Sequence, residues 1–328
     1  MLKVGVVGVG HLGRHHARIF SQIPDCKLIG VYDKIQERAD EIAKTYNVKA
    51  FQSYEEMLST VDAVDIAATT TYHYDLAKPA LEKGCHVFLE KPITSELKQA
   101  EELIQIAKEK DLFIQVGHIE RFNPVILKVD NDINDPMFIE SHRLAPFNPR
   151  GSDVPVVLDL MIHDIDLILS FIKSNISNIS ASGIGVLTPS IDIANARLEF
   201  ENGAVANVTA SRISMKRERK IRFFQKDAYI SLDFQEKNIS ILRKSKDINK
   251  ILPQILMGNT NFDPQDLVDI TEMNADDYQK DALTMELESF VKAINNKQIP
   301  VVDGEAGAKA LAVAMKIVEI IKSKTKTI

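Results

Sequence analysis

Cysteine is scarce in this 328-residue chain: Cys26 and Cys85 are its two, far apart and without the spacing of a metal site or a disulfide framework. A reduced, cytoplasmic protein is the expectation. No stretch approaches the roughly 18 consecutive apolar residues of a membrane span. The first residues read as a strand, not as a charged segment followed by an apolar signal core, so neither bilayer nor secretion is expected. Excess positive charge is missing too. With 40 Lys and Arg against 46 Asp and Glu, the formal net charge is -6, which argues against a general nucleic-acid partner. Internal repeats and low-complexity tracts are absent. What remains is the composition of a globular protein, 45% hydrophobic and 26% charged, in a chain long enough to split into two domains. The texture changes soon after residue 120, which suggests domains at 1–120 and 121–328.

The most informative segment lies almost at the start. Gly8-Val9-Gly10-His11-Leu12-Gly13 follows the apolar run Leu2 to Val7 and precedes a helix-like stretch. In that context one glycine permits the tight turn, the next lets backbone approach a pyrophosphate, and the third allows close helix-to-strand packing, so that phosphates meet a helix N-terminus. Asp33 ends the next apolar run at about the 20-residue distance expected of a carboxylate that accepts ribose hydroxyls. That carboxylate would repel a 2′-phosphate, so NAD is expected over NADP.

Through residue 118 short β-rich runs alternate with helical ones, the pattern of a parallel sheet covered on both faces. Strands are expected at 2–8, 27–32, 63–68, 85–89 and 112–117, and helices from near His11, Ile35, Tyr54, His73 and Ser95, with Ser95 as an N-cap. Right-handed crossovers make this α/β sheet doubly wound, and ligands then sit beyond the carboxyl ends of its strands. The second part reads differently: a strand near 138–144, an apolar helix at 156–172, and a mainly antiparallel sheet. Hairpins are expected at 194–200 with 204–211, around Asn202-Gly203, and at 219–225 with 228–234. Helices are expected near 280–296 and 303–323, with 245–279 irregular.

Within the apolar helix Val156 to Ile172, Asp159, His163 and Asp166 fall within roughly 60° of one another at about 100° per residue, while Asp164 points away. Charged groups on such a helix cost several kcal/mol unless paired or open to a cleft. Asp159 and His163 are therefore candidates for catalysis and substrate binding, against a His–Asp pair that merely locks the helix; Asp166 reads as structural. Lys91, in Glu90-Lys91-Pro92, follows the apolar strand Val87 to Leu89 at the edge where a nicotinamide belongs. Pro92 biases Lys91 toward an extended backbone, and an ammonium there favours the alkoxide that hydride loss requires. Thr69, Thr70 and Thr71 end a strand, where hydroxyls meet phosphate or ribose or else bond locally to backbone. His73 reads equally as a cap or as a cofactor contact. With the glycine turn, the cofactor candidates are Gly8, Gly10, His11, Leu12, Gly13, Asp33, Thr69, Thr70, His73, Glu90, Lys91 and Pro92. Arg121 and Asn123, in the segment Gly117 to Pro124, suit the nicotinamide amide or an anionic substrate; a salt bridge between domains by Glu120 and Arg121 competes with that reading. Arg143 and Arg150 are even candidates for a diphosphate. The basic run 216–222 reads as a solvated sheet face, and no metal site is expected.

Gly8 to Gly13, Glu90-Lys91-Pro92, and Asp159 with His163 four positions later and Asp166 beyond together resemble the glucose-fructose oxidoreductase, inositol dehydrogenase and rhizopine-catabolism (Gfo/Idh/MocA) family over nearly the whole chain. The resemblance implies a Rossmann domain for NAD(P) and a second α/β domain with a large open sheet used in homodimers or homotetramers. It also implies catalytic positions at Lys91, Asp159 and His163, and it matches His73 to the family's histidine after the fourth strand. Gly117 to Pro124 is similar to the segment of UDP-N-acetylglucosamine 3-dehydrogenases and MviM-like relatives. Met161 and Thr70-Thr71 depart from common family residues without removing a titrating group. The activity so implied moves a hydride between a sugar or nucleotide-sugar hydroxyl carbon and NAD. Dehydrogenation of a free sugar or polyol, and NAD sensing without catalysis, are the competing functions.

Overall fold

The apolar run at the N-terminus becomes β1 (Leu2–Val7), buried along its length except at Lys3. A strand flanked on both edges and covered on both faces has this near-continuous apolar pattern. The computed structural model describes residues 1–149, 151, 154–246, 248–257 and 267–325. These divide into two compact units, and the division is not one cut near residue 120: Met1–Phe122 and Lys280–Val313 form the first, Asn123–Gln279 and Ala314–Ile328 the second.

The first unit continues with α1 (Gly13–Phe20), β2 (Cys26–Tyr32), α2 (Gln36–Tyr46), β3 (Lys49–Ala50), α3 (Tyr54–Leu58), β4 (Ala63–Ile66), α4 (His73–Glu82), β5 (His86–Glu90), α5 (Leu97–Glu109) and β6 (Ile114–Gly117). All six strands pair in parallel, in the order β3-β2-β1-β4-β5-β6. The strand order therefore reverses between β1 and β4, where ligands bind in doubly wound sheets. The expected strands are all present, and the two-residue β3 is added at the edge. Ser95 is not a cap. Glu96 occupies the N-cap position of α5, and the Thr94 hydroxyl donates to the Glu96 carbonyl at 2.8 Å.

The later helix (Ala282–Asn295) joins this unit because its apolar face belongs to the same core. Leu287, Phe290 and Val291 are buried with Val4, Phe20 and Phe88, and the Phe290 ring meets Phe88 edge-on at 5.7 Å. Val302 and Asp303 then bond to β6 through Val116 and Gln115.

The second unit has one sheet of eight strands: β7 (Phe138–Leu144), β8 (Ile176–Ile184), β9 (Ile193–Phe200), β10 (Val205–Ser211), β11 (Glu218–Phe224), β12 (Ala228–Asp233), β13 (Asn238–Lys244) and β14 (Val268–Asn274). Its order is β14-β13-β12-β11-β7-β10-β9-β8, antiparallel except where β10 runs parallel to β7. Both expected hairpins form. The segment expected to be irregular holds a helix, Ile248–Leu256, and β14. Burial alternates along β7 and β12, as it must when one sheet face is covered and the other open. The Phe171 ring meets Phe223 of β11 at 5.1 Å on the covered face, while Arg222 pairs with Glu140 and Lys220 with Asp233. The apolar stretch at 156–172 is not one regular helix: Val157–Met161 is a π turn, followed by an α-helix, Ile162–Phe171.

Candidate active site

At the end of β1 the chain turns through Gly8, whose φ is +83°; its N–H donates to the Tyr32 carbonyl at 2.8 Å. A Cβ on Gly13 would lie 2.0 Å from the Gly8 carbonyl oxygen, so the first turn of α1 closes directly on this loop. A Cβ on Gly10 would meet nothing within 4 Å. The loop is thus tight beneath and open above, with backbone N–H groups at the head of a helix, which fits a pyrophosphate. Leu12 is the N-cap of α1 and is exposed. His11 is exposed as well, its Nδ1 3.5 Å from Arg14 Nη2. Asp33 follows β2, and its Oδ1 accepts the Ile35 N–H at 2.8 Å, which aims the carboxylate locally. Thr69 caps the 3₁₀ turn Thr70–Tyr72 through its carbonyl, which accepts the Tyr72 N–H. Thr69 is exposed and Thr70 half-buried. These groups fit a dinucleotide.

Two buried histidines hold the segment Glu90-Lys91-Pro92. His16, on the inner face of α1, places Nδ1 2.9 Å from Asp65 Oδ2 of β4. Its Nε2 lies 3.2 Å from Glu90 Oε1, an ion-pair distance without the alignment of a full hydrogen bond. Burial would depress the imidazole, but the charge and hydrogen bond of Asp65, joined by Glu90, outweigh it and hold His16 well above its ordinary value. Burial pushes the Asp65 carboxyl up, against the pull of His16. Burial acts on Glu90 in the same sense, yet His16 and Lys91 hold it below the usual carboxylate range.

His73 is fully buried, with Nδ1 2.9 Å from the Pro92 carbonyl oxygen and Nε2 3.0 Å from that of Ala68. Burial lowers it despite those carbonyls, so a neutral ring donates one of the two bonds at a time. Its nitrogens tie the loop after β4 to the loop after β5. Direct contact with a cofactor, one of the two expectations for His73, gives way to this clamp because the ring has no exposed surface. The Lys91–Pro92 peptide is cis.

In the second unit, Asp159 lies in the π turn and His163 in the helix after it; both are half-buried, while Asp166 is buried. A π turn does not advance by 100° per residue, so the angular estimate linking Asp159 to the other two does not carry across it. Asp164 does point elsewhere, into a buried two-point pair with Arg143 of β7, Nε to Oδ2 at 2.7 Å and Nη2 to Oδ1 at 3.0 Å. Arg143 is thereby committed to the core, which removes it as a diphosphate ligand. A Cβ on Gly151 would lie 3.4 Å from Asp159 Oδ2. The loop there is held by Arg212, which donates to the Gly151 carbonyl at 2.6 Å and to that of Val154. Arg212 Nε is 3.8 Å from Asp192 Oδ1. Asp192 in turn accepts the Thr188 hydroxyl and the N–H groups of Val186, Leu187 and Thr188, bonds that offset its burial and lower its pKa to about 2. Arg150 lies outside the described residues.

Arg121, in the first unit, sits half-buried in the 3₁₀ turn Ile119–Phe122, where its N–H donates to the His118 carbonyl. Asn123, in the second, uses Oδ1 to cap the helix Pro124–Val129 through the Val125 N–H at 3.1 Å. This cap gives Asn123 a structural task that sequence reasoning did not assign. His16, Asp65, Arg212 and Asp192 were also missed. Asp65 left a signal: an acid inside the apolar strand Ala63–Ile66 requires a buried partner. No group of three or more His, Cys, Asp or Glu suited to a metal occurs among the described residues, and no described helix is long and apolar enough to cross a membrane.

Residues 2–118 match the Gfo/Idh/MocA model of an oxidoreductase family with an NAD-binding Rossmann fold, and residues 132–231 match the Gfo/Idh/MocA C-terminal domain. UDP-N-acetylglucosamine 3-dehydrogenase of Acidithiobacillus ferrooxidans is 36% identical over 317 residues, 96% of each chain. A solved structure of UDP-N-acetylglucosamine 3-dehydrogenase GnnA from that organism superposes with a TM-score of 0.87 at 35% identity, covering 98% of both chains. The NAD(+)-dependent scyllo-inositol 2-dehydrogenase of Bacillus subtilis is 28% identical over 232 residues, 65% of this chain and 68% of its own.

Proposed function

The chain belongs to the Gfo/Idh/MocA oxidoreductase family, and on that premise we propose that it is an NAD-dependent dehydrogenase acting on carbon 3 of a nucleotide-activated hexosamine such as UDP-N-acetylglucosamine. The observation that carries this reading is 36% identity to a UDP-N-acetylglucosamine 3-dehydrogenase over 96% of both chains, against 28% and 24% to inositol dehydrogenases. The glycine turn Gly8–Gly13, Asp33 and the strand-end residues Thr69 and Thr70 hold NAD, which supplies the hydride acceptor. The Asp33 carboxylate favours the free ribose hydroxyls of NAD over the 2′-phosphate of NADP.

His163 takes the proton of the reacting sugar hydroxyl, and Asp159 orients that imidazole. Lys91 donates a hydrogen bond to the same oxygen and stabilises it as the C–H pair departs and the carbonyl forms. Arg121, Asn123 and Arg150 serve the substrate. The protein works in the cytoplasm as a homodimer or homotetramer; the open face of its eight-stranded sheet supports that assembly.

The test is a substrate panel followed by NADH absorbance. UDP-N-acetylglucosamine turned over well above free N-acetylglucosamine, glucose and inositol is the expected result. Preference for a free sugar or polyol would remove the nucleotide subsite from this reading. No turnover of any sugar, with NAD bound, would leave a sensor.

A further inference from the structure

We propose that His16 is a positioning residue for Lys91: bridging Asp65 and Glu90, it fixes the Glu90 carboxylate, whose second oxygen accepts the backbone N–H of Lys91. This inference rests on the reading of Lys91 as the residue that acts on the substrate oxygen. The chain of contacts is short and belongs to one unit. Asp65 Oδ2 lies 2.9 Å from His16 Nδ1, His16 Nε2 lies 3.2 Å from Glu90 Oε1, and the Lys91 N–H donates to Glu90 Oε2 at 3.2 Å.

Asp65 meets only the Nδ1 side of the ring, at 2.9 and 3.1 Å, and the buried Nε2 faces Glu90. Adding Glu90 brings a third ionisable group into the cluster, at a cost that an apolar trio of similar volume would avoid. The surroundings hold the cluster in place. Phe88 stands edge-on to the imidazole with ring centres 5.8 Å apart. A Cβ on Gly117 would lie 3.0 Å from Glu90 Oε2, so the bare glycine lets β6 pass close to the carboxylate. From the other side His73 holds the Pro92 carbonyl. Lys91 is thus bracketed by a carboxylate and a carbonyl, each held by a buried imidazole. The charges matter as well: the imidazolium of His16 offsets the negative charge of Glu90 that Lys91 experiences, and the ammonium of Lys91 helps hold Glu90 ionised.

The experiment compares His16→Gln, Glu90→Gln and the double variant. For the singles we expect turnover to fall tenfold to about a hundredfold while the NAD dissociation constant stays within about threefold. The loss should fall on kcat, with the sugar KM within about threefold of wild type, because the link orients Lys91 and does not itself bind the sugar. The double variant should fall short of the product of the singles, because both act through one link. Folded single variants with unchanged kcat would overturn the proposal.

If His16→Gln does not fold, Glu90→Gln and ring-nitrogen NMR of the intact protein still decide it. A His16 ring that loses a proton near the ordinary histidine pKa would be incompatible with the bridge. If the wild type oxidises no sugar, the function reading fails separately. The backbone amide resonance of Lys91, assigned with Lys91→Arg, then tests the link alone, and an amide shift unmoved in Glu90→Gln would break it.

Discussion

Arg143 and Asp164 face each other across β7 and the helix Ile162–Phe171 in a buried two-point pair, at 2.7 and 3.0 Å. Removing one partner of such a pair strands a charge, at about 3–5 kcal/mol, whereas replacing both with apolar residues is often neutral. Arg143→Met should therefore lower the urea midpoint sharply, and Arg143→Met combined with Asp164→Leu should recover most of the loss. A double variant as unstable as the single would show that the pair contributes more than charge balance.

Lys91→Ala and His163→Ala should each lose at least about 100-fold in turnover while retaining NAD affinity measured by calorimetry. Near-normal turnover in both variants would refute their assigned roles.

Asp33→Asn tests the choice of cofactor while sparing the loop. An asparagine keeps the oxygen that accepts the Ile35 N–H but removes the charge that repels a 2′-phosphate. The NADP-to-NAD ratio of kcat/KM should rise by about tenfold or more, an electrostatic change of about 1.4 kcal/mol. An unchanged ratio would mean that another group rejects the phosphate.

Cys26 and Cys85 are buried, and desolvation pushes both thiols up to about 11. The raised value favours the neutral, unreactive form until the pH approaches it, so at about pH 8 roughly one molecule in a thousand carries the thiolate at each site. Native protein should resist alkylation there for hours and react fully in denaturant. Rapid labelling of the native protein would show that one of these sites opens locally.

The dinucleotide turn, the acid after β2 and the lysine after β5 are legible in the linear chain, since each is defined by a glycine spacing or by its place at the end of an apolar run. Strand-to-turn-to-helix geometry is local, and a doubly wound sheet gathers strand ends on one edge. Asp159 and His163 stand out for a similar reason, as charge on an apolar helix, but the π turn alters the angle that regular periodicity assigns them.

Composition, periodicity and glycine spacing were enough to establish a parallel sheet with a coenzyme turn, followed by a mainly antiparallel sheet, because these properties depend on neighbours a few positions away. Folding alone decided which polar groups meet. His16 reaches Asp65, 49 residues away, and Arg212 reaches Gly151, 61 residues away, because strand order and helix docking bring them together. A buried charge announces that it needs a partner, but its own segment does not say which partner the tertiary packing will supply.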